Sequence, residues 1–115
     1  MTLIEVAIYA MVLSGPMPGL CRLDEGAVVT CSNGLSAQVL SDAEARFSSG
    51  VTVRHAGDQF PAFSNGISSR IDAAGWLVFS NGVAVRRRSL SRYDFADGIM
   101  CRAELPELVG CSRLP

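Results

Sequence analysis

Four cysteines, one histidine and ten arginines carry most of the chemistry open to this 115-residue chain. The cysteines are Cys21, Cys31, Cys101 and Cys111, with spacings of 10, 70 and 10. Structural zinc sites take ligands two to four residues apart, so this spacing disfavours zinc and favours two disulfides. Disulfides in turn imply an oxidising compartment: secreted, periplasmic or cell-surface. His55 is the only imidazole, so any hydrolytic triad would need it. It precedes Ala56-Gly57 and reads as an exposed turn residue. Asp24, Glu25, Asp94 and Asp97 are the acids that could approach as a carboxylate pair, yet their spacing does not favour one. No catalytic residue, metal ligand or cofactor is expected. No phosphate-cradling loop or dinucleotide fingerprint occurs, and the irregular aspartates do not fit a calcium-binding β-roll.

Composition narrows the options further. The net charge is −1, 49% of residues are hydrophobic and 18% are charged. That excludes a charge-driven disordered chain and a strongly basic nucleic-acid binder, and no specific nucleic-acid motif is present. The length fits one small domain.

The elements that position these residues follow from a repeat. Cys31-Ser-Asn-Gly, Phe47-Ser-Ser-Gly, Phe63-Ser-Asn-Gly, Phe79-Ser-Asn-Gly and Phe95-Ala-Asp-Gly recur every sixteen residues without insertion. Each is followed by an aliphatic residue, two more, and then Gln38, Arg54, Arg70, Arg86 or Arg102. Asn-Gly or Asp-Gly between short β-rich runs signals a hairpin. Pairing Phe79 with Val83 leaves a three-residue loop whose glycine takes the left-handed conformation. Ser32, Ser64 and Ser80 occupy the first turn position, where a hydroxyl bonds nearby backbone. The fold class is therefore all-β: a repeat protein of about six hairpin units. The expected architecture is an antiparallel meander of about ten to twelve short strands, with a β-solenoid as the alternative. Helix has little support after residue 14, apart from a single turn over Ser41 to Arg46.

A period of two puts Leu77, Phe79, Val83 and Val85 on one face and Val78, Ala84 and Arg86 on the other. The first face must be covered, by curling, by the N-terminal segment or by a partner. The second carries an arginine column at 22, 54, 70, 86 and 102, interrupted by Gln38. The stretch Arg86 to Arg92 carries four positive charges (Arg86, Arg87, Arg88 and Arg92) and no acid. Arg54, Arg70, Arg86, Arg87, Arg88 and Arg102 are the candidate anion-binding residues. The bland reading is a solvated face in which turn acids balance the column, as Arg54 with Asp58 and Arg70 with Asp72. The frame also pairs the cysteines. Ala37 and Phe47, Val53 and Phe63, and Val85 and Phe95 stand ten apart as cross-strand neighbours. Cys21–Cys31 and Cys101–Cys111 hold the same relation, so these two bonds are predicted, clamping the two ends of the array.

Residues 20–115 thus form a single β-repeat domain, and residues 1–19 an apolar segment for signalling, export or packing. The run Ile4 to Leu13 is too short to span a membrane and matches a signal-peptide core, although no Arg or Lys precedes it. Met1-Thr2-Leu3-Ile4-Glu5-Val6 resembles the start of a processed type IV pilin, which implies a longer apolar helix than Gly15 and Pro16 allow. Ile71-Asp72-Ala73-Ala74-Gly75-Trp76-Leu77-Val78 with Phe79-Ser80-Asn81-Gly82 resembles one unit of the YD/RHS repeats. That resemblance implies an extracellular β-strand repeat class and transfers no functional residue. The functional expectation is a non-enzymatic exported β-repeat module for surface or envelope interaction, its arginine column meeting an anionic polymer or lipid surface. The alternative is a structural subunit that self-associates through strand edges.

Overall fold

A computed structural model describes all residues, Met1–Pro115. One helix precedes twelve strands: α1 (Leu3–Ser14), β1 (Gly19–Asp24), β2 (Val28–Cys31), β3 (Ser36–Ser41), β4 (Glu44–Phe47), β5 (Thr52–Arg54), β6 (Ala62–Phe63), β7 (Ser69–Ile71), β8 (Leu77–Phe79), β9 (Ala84–Ser89), β10 (Arg92–Phe95), β11 (Ile99–Leu105) and β12 (Leu108–Arg113). All pairings are antiparallel and follow chain order, with β1 also pairing β12. The result is a barrel-like meander, open only between β6 and β7. Neighbouring units pair through consecutive strands, so the solenoid alternative is not realised.

The local chemistry of the turns is as the repeat requires. The Phe79 amide bonds the Val83 carbonyl at 2.8 Å, and Gly82 closes the loop at φ 93°. A side chain there would be strained, and the four register-equivalent glycines share the conformation at φ 89–98°. Asn81 Oδ1 accepts from the Val83 amide at 3.2 Å. The serines do more than expected. Ser80 Oγ accepts from the Ser68 amide at 3.0 Å while its own amide bonds the Ser68 carbonyl. Ser32, Ser48 and Ser64 bond Leu20, Ser36 and Thr52 in the same way. Each hydroxyl therefore ties a turn to the strand twelve residues earlier, not to its own loop. Ser41 to Arg46 forms a hairpin connection into β4, not a helical turn.

The Phe layer faces inward, with Phe47, Phe63, Phe79 and Phe95 all buried, and curling covers it around α1. The helix is apolar on every side, which suits an element enclosed by others. Ile4 and Val6 through Val12 are all buried in the single core cluster. Leu3–Ser14 thus packs as the central helix of this fold, and Gly19 already belongs to β1. Glu5, out of place before a signal-peptide core, completes a capping box with Thr2 (3.0 and 3.3 Å). At the far end Asn81 Nδ2 donates to the Val12 carbonyl at 2.9 Å, and Asn33 Nδ2 to Ser14 Oγ at 2.8 Å. Asn81 thus satisfies a carbonyl that the helix C-terminus leaves open, and Asn33 anchors the last helical side chain.

Cys21–Cys31 and Cys101–Cys111 are bonded, each pair directly opposite on adjacent strands with Cα atoms 4.0 Å apart. They do not guard frayed ends. The first and last strands pair with each other, Cys21 opposite Val109 and Gly19 opposite Cys111, so the two bonds flank one seam. No helix is long and apolar enough to cross a membrane.

Candidate functional site

Curling changes what the arginine column can present. Arg22, Arg54, Arg70, Arg86 and Arg102 lie on β1, β5, β7, β9 and β11, with Gln38 on β3. Two strand spacings, about 9.5 Å, separate successive members wherever the sheet is continuous. On a closed sheet these side chains point away from one another and form an outward belt. The balancing acids also differ from the expectation. Arg54 pairs with Glu44 at 3.3 Å across β4–β5, not with Asp58. Asp72 Oδ1 accepts from the Ala74 and Trp76 amides at 2.9 Å and serves its own turn, not Arg70. Gln38 Nε2 donates to the Gly26 carbonyl at 2.7 Å.

One sector of the belt is concentrated. Asp94 on β10 is 5% exposed on the outer register. It accepts from Arg88 Nε at 2.8 Å and from Arg92 Nε at 3.0 Å. Burial alone would raise the Asp94 carboxyl, but the hydrogen bonds from Arg92 and Arg88 outweigh it and hold it below its ordinary value. Arg86 stands opposite Asp94, and Arg92 stands opposite Arg102. Two like charges facing each other across strands destabilise a sheet. The Arg86 guanidinium lies 4.6 Å from the centre of the Trp76 ring and donates to the Ala74 carbonyl. Arg88 and Arg92 therefore bind a single carboxylate on β10, and Arg86 and Arg102 stand beside it on the neighbouring strands β9 and β11. Sequence reasoning named Asp94 only as a candidate for a carboxylate pair and missed its pairing with Arg88 and Arg92, because it lies just beyond the Arg86–Arg92 stretch. The hairpin register, which sets it opposite Arg86, is the signal that finds it.

Arg87 parts company with this group. Its partner is Tyr93, in register with the buried Val85–Phe95 pair. It lines a cavity of about 290 Å³ at the helix N-terminal end of the lumen, together with Glu5, Tyr9, His55 and Tyr93. His55 is correspondingly not an exposed turn residue. Its Nδ1 lies 2.7 Å from the Tyr9 hydroxyl and 3.6 Å from Glu5 Oε2. Burial raises the Tyr9 hydroxyl well above its ordinary range, and the charges of Glu5 and Tyr93 add to this. Burial raises Tyr93 too, with Glu5 adding and Arg87 opposing. Tyr9 therefore stays protonated at neutral pH and acts as a hydrogen-bonding group, not a phenolate nucleophile.

The acids singled out as a carboxylate pair are not brought together. Asp24 accepts from Thr30 on β1–β2, Asp97 caps its turn through the Ile99 amide, and β12 and β11 separate Asp24 from Asp94. No group of three or more His, Cys, Asp or Glu side chains converges as a metal site. No family model, curated protein or solved structure matches this chain.

Proposed function

We propose that this protein is a non-enzymatic exported β-repeat module that engages an anionic polymer or lipid surface through the β9–β11 arginine sector. The carrying observation is the cluster on β9–β11, where Arg88 and Arg92 pair with the buried Asp94 and Arg86 and Arg102 flank them in register. The Asp94 bonds fix two guanidinium forks in place, which lowers the ordering cost of meeting an anion. Arg102 enters no ion pair and stands opposite Arg92, so an anion bound there relieves a like-charge contact. Two disulfides support an oxidising, extracytoplasmic setting.

The test uses a sulfated-polysaccharide column and anionic vesicles. Retention is expected to fall with salt and to fall again in Arg86→Gln/Arg102→Gln, while Arg54→Gln on β5 changes little. Retention unchanged in the double variant on both supports overturns the proposal. A second reading, self-association through strand edges, draws on the outer edges of β6 and β7, which do not pair with each other, and on the exposed Phe60 before β6 and Ile71 within β7. The buried helix is not available for it. Sedimentation that stays monomeric as concentration rises would remove this reading.

A further inference from the structure

The repeat frame exposes an irregularity on the lumen side. One inward slot on the odd-numbered strands and the segments continuing them recurs as Leu23, Val39, His55, Ile71, Arg87 and Ala103. Its cross-strand partner slot recurs as Val29, Ala45, Pro61, Leu77, Tyr93 and Val109, with Leu23 opposite Val29, Ile71 opposite Leu77 and Arg87 opposite Tyr93. Leu23, Val39 and Ala103 pack on the core as such a slot should. The polar exceptions are His55, Arg87 and Tyr93, and all of them line the same cavity. From α1, Glu5 and Tyr9 join them, four residues apart and hence on one helix face. Ile8, Leu77, Val85 and Ile71 supply apolar wall. Polar residues placed only where an otherwise apolar slot borders a cavity are the pattern of a ligand site.

The charges select the ligand. Arg87 is exposed at the cavity mouth and enters no ion pair; its Nε donates to the Ser89 carbonyl at 3.3 Å, and its two terminal nitrogens have no protein partner. Glu5 is already engaged: its Oε1 accepts from the Thr2 amide and hydroxyl (3.0 and 2.8 Å), and its Oε2 faces His55. The other nearby cation, Arg86, is held on the Trp76 ring and the Ala74 carbonyl. We propose that this cavity binds a small apolar monocarboxylate. Its carboxylate meets the Arg87 guanidinium and the Tyr93 hydroxyl, and its hydrocarbon body lies against Ile8, Leu77 and Val85. A guanidinium presents two parallel donors that match the two oxygens of a carboxylate. One free cation, with Glu5 across the cavity, suits a monoanion better than a dianion. Arg86 lines both this cavity and the outer arginine sector, but the carboxylate is held by Arg87 and Tyr93, so either reading can hold without the other.

The probe is hexanoate, titrated against full-length oxidised protein while the ring signals of Tyr9, Tyr93 and His55 are followed by NMR. Saturable shifts are expected, with a Kd of about a millimolar for so small a ligand. Hexanol and hexylamine should bind at least about tenfold more weakly, as loss of a charge-assisted pair requires. Arg87→Met should lose hexanoate by a similar factor, whereas Arg102→Gln should keep it. Should Arg87→Met fail to fold, Tyr93→Phe is the second variant, with a loss of about threefold or more. The proposal is overturned by absent or non-saturable shifts. It is equally overturned by hexylamine or hexanol binding as tightly as hexanoate, or by wild-type affinity in the folded variants.

Discussion

The two seams of the barrel invert the usual relation between sequence distance and pairing. At the terminal seam, β1 and β12 join residues as far apart as Gly19 and Cys111, flanked by both disulfides. At the middle seam, β6 and β7 are linked by one short turn, and the turn itself forms, with the Phe63 amide on the Ile67 carbonyl. Yet the two strands do not pair. Loop closure favours the middle seam, so the cause must lie in its groups. Pro61 occupies the slot held by Leu77 in the next unit, where Leu77 pairs with Val85. Proline has no amide proton and interrupts a ladder. The facing residue is Ser69 rather than an aliphatic one, and its hydroxyl donates to the Pro61 carbonyl in place of a backbone bond. The Phe63 and Phe79 rings stack behind it at 5.8 Å, so the seam is packed without being zipped. A single missing donor outweighs proximity.

Removing the disulfides is expected to have the largest effect on this contrast. Each closes a short loop worth about 2.7 kcal/mol in the chain-entropy treatment, so replacing all four cysteines by alanine should cost about 5 kcal/mol in denaturant unfolding. Hydrogen exchange should then show β1 and β12 protected no better than β6 and β7. Retained protection at the terminal seam would show that backbone pairing alone holds it.

The next effect is alkaline. Tyr9 and Tyr93 both have hydroxyls raised by burial in the fold. Above about pH 10 the unfolded chain ionises them while the fold keeps them protonated, so stability is full below that pH and falls as pH rises. The slope is about 1.4 kcal/mol per pH unit for each tyrosine still protonated. Tyr93→Phe should flatten the decline measured by denaturant titration between pH 9 and 11; an unchanged slope would contradict the burial of that hydroxyl.

Asp94 gives the opposite limb. Its lowered value means that its contribution is present above the ordinary carboxyl range and is lost as pH falls through it. Asp94→Asn should reduce stability at neutral pH by about 2 kcal/mol and remove part of the acid dependence. The smallest expected change sharpens the seam comparison directly. Pro61→Val restores the donor and should add about 1 kcal/mol, with new amide protection at residues 61 and 69. No gain in protection would show that Ser69, and not Pro61, keeps the seam open.

The disulfide pairing, the turn glycines and the inward Phe layer were legible because each depends on local chemistry repeated in a fixed frame. His55 was misread for the complementary reason. Its neighbours Arg54 and Ala56 describe a turn, whereas its partner Tyr9 is 46 residues away on an element with no place in the repeat. The serines were half legible: the turn position is local, but the strand each clips belongs to the previous unit. The polar residues at 55, 87 and 93 were readable in principle as exceptions in an apolar slot, though nothing in the sequence says that those slots share a cavity.

The sequence by itself determined a sixteen-residue unit, its hairpin turn, its buried and solvent faces and the cysteine partners, because these follow from backbone stereochemistry and strand alternation. Only the tertiary structure decided that the array closes on itself, that α1 fills the lumen and that the arginine column becomes a belt. Closure depends on how strand twist accumulates over twelve strands and on what apolar volume is available to fill the centre. Those are properties of the assembled whole, which no single unit encodes.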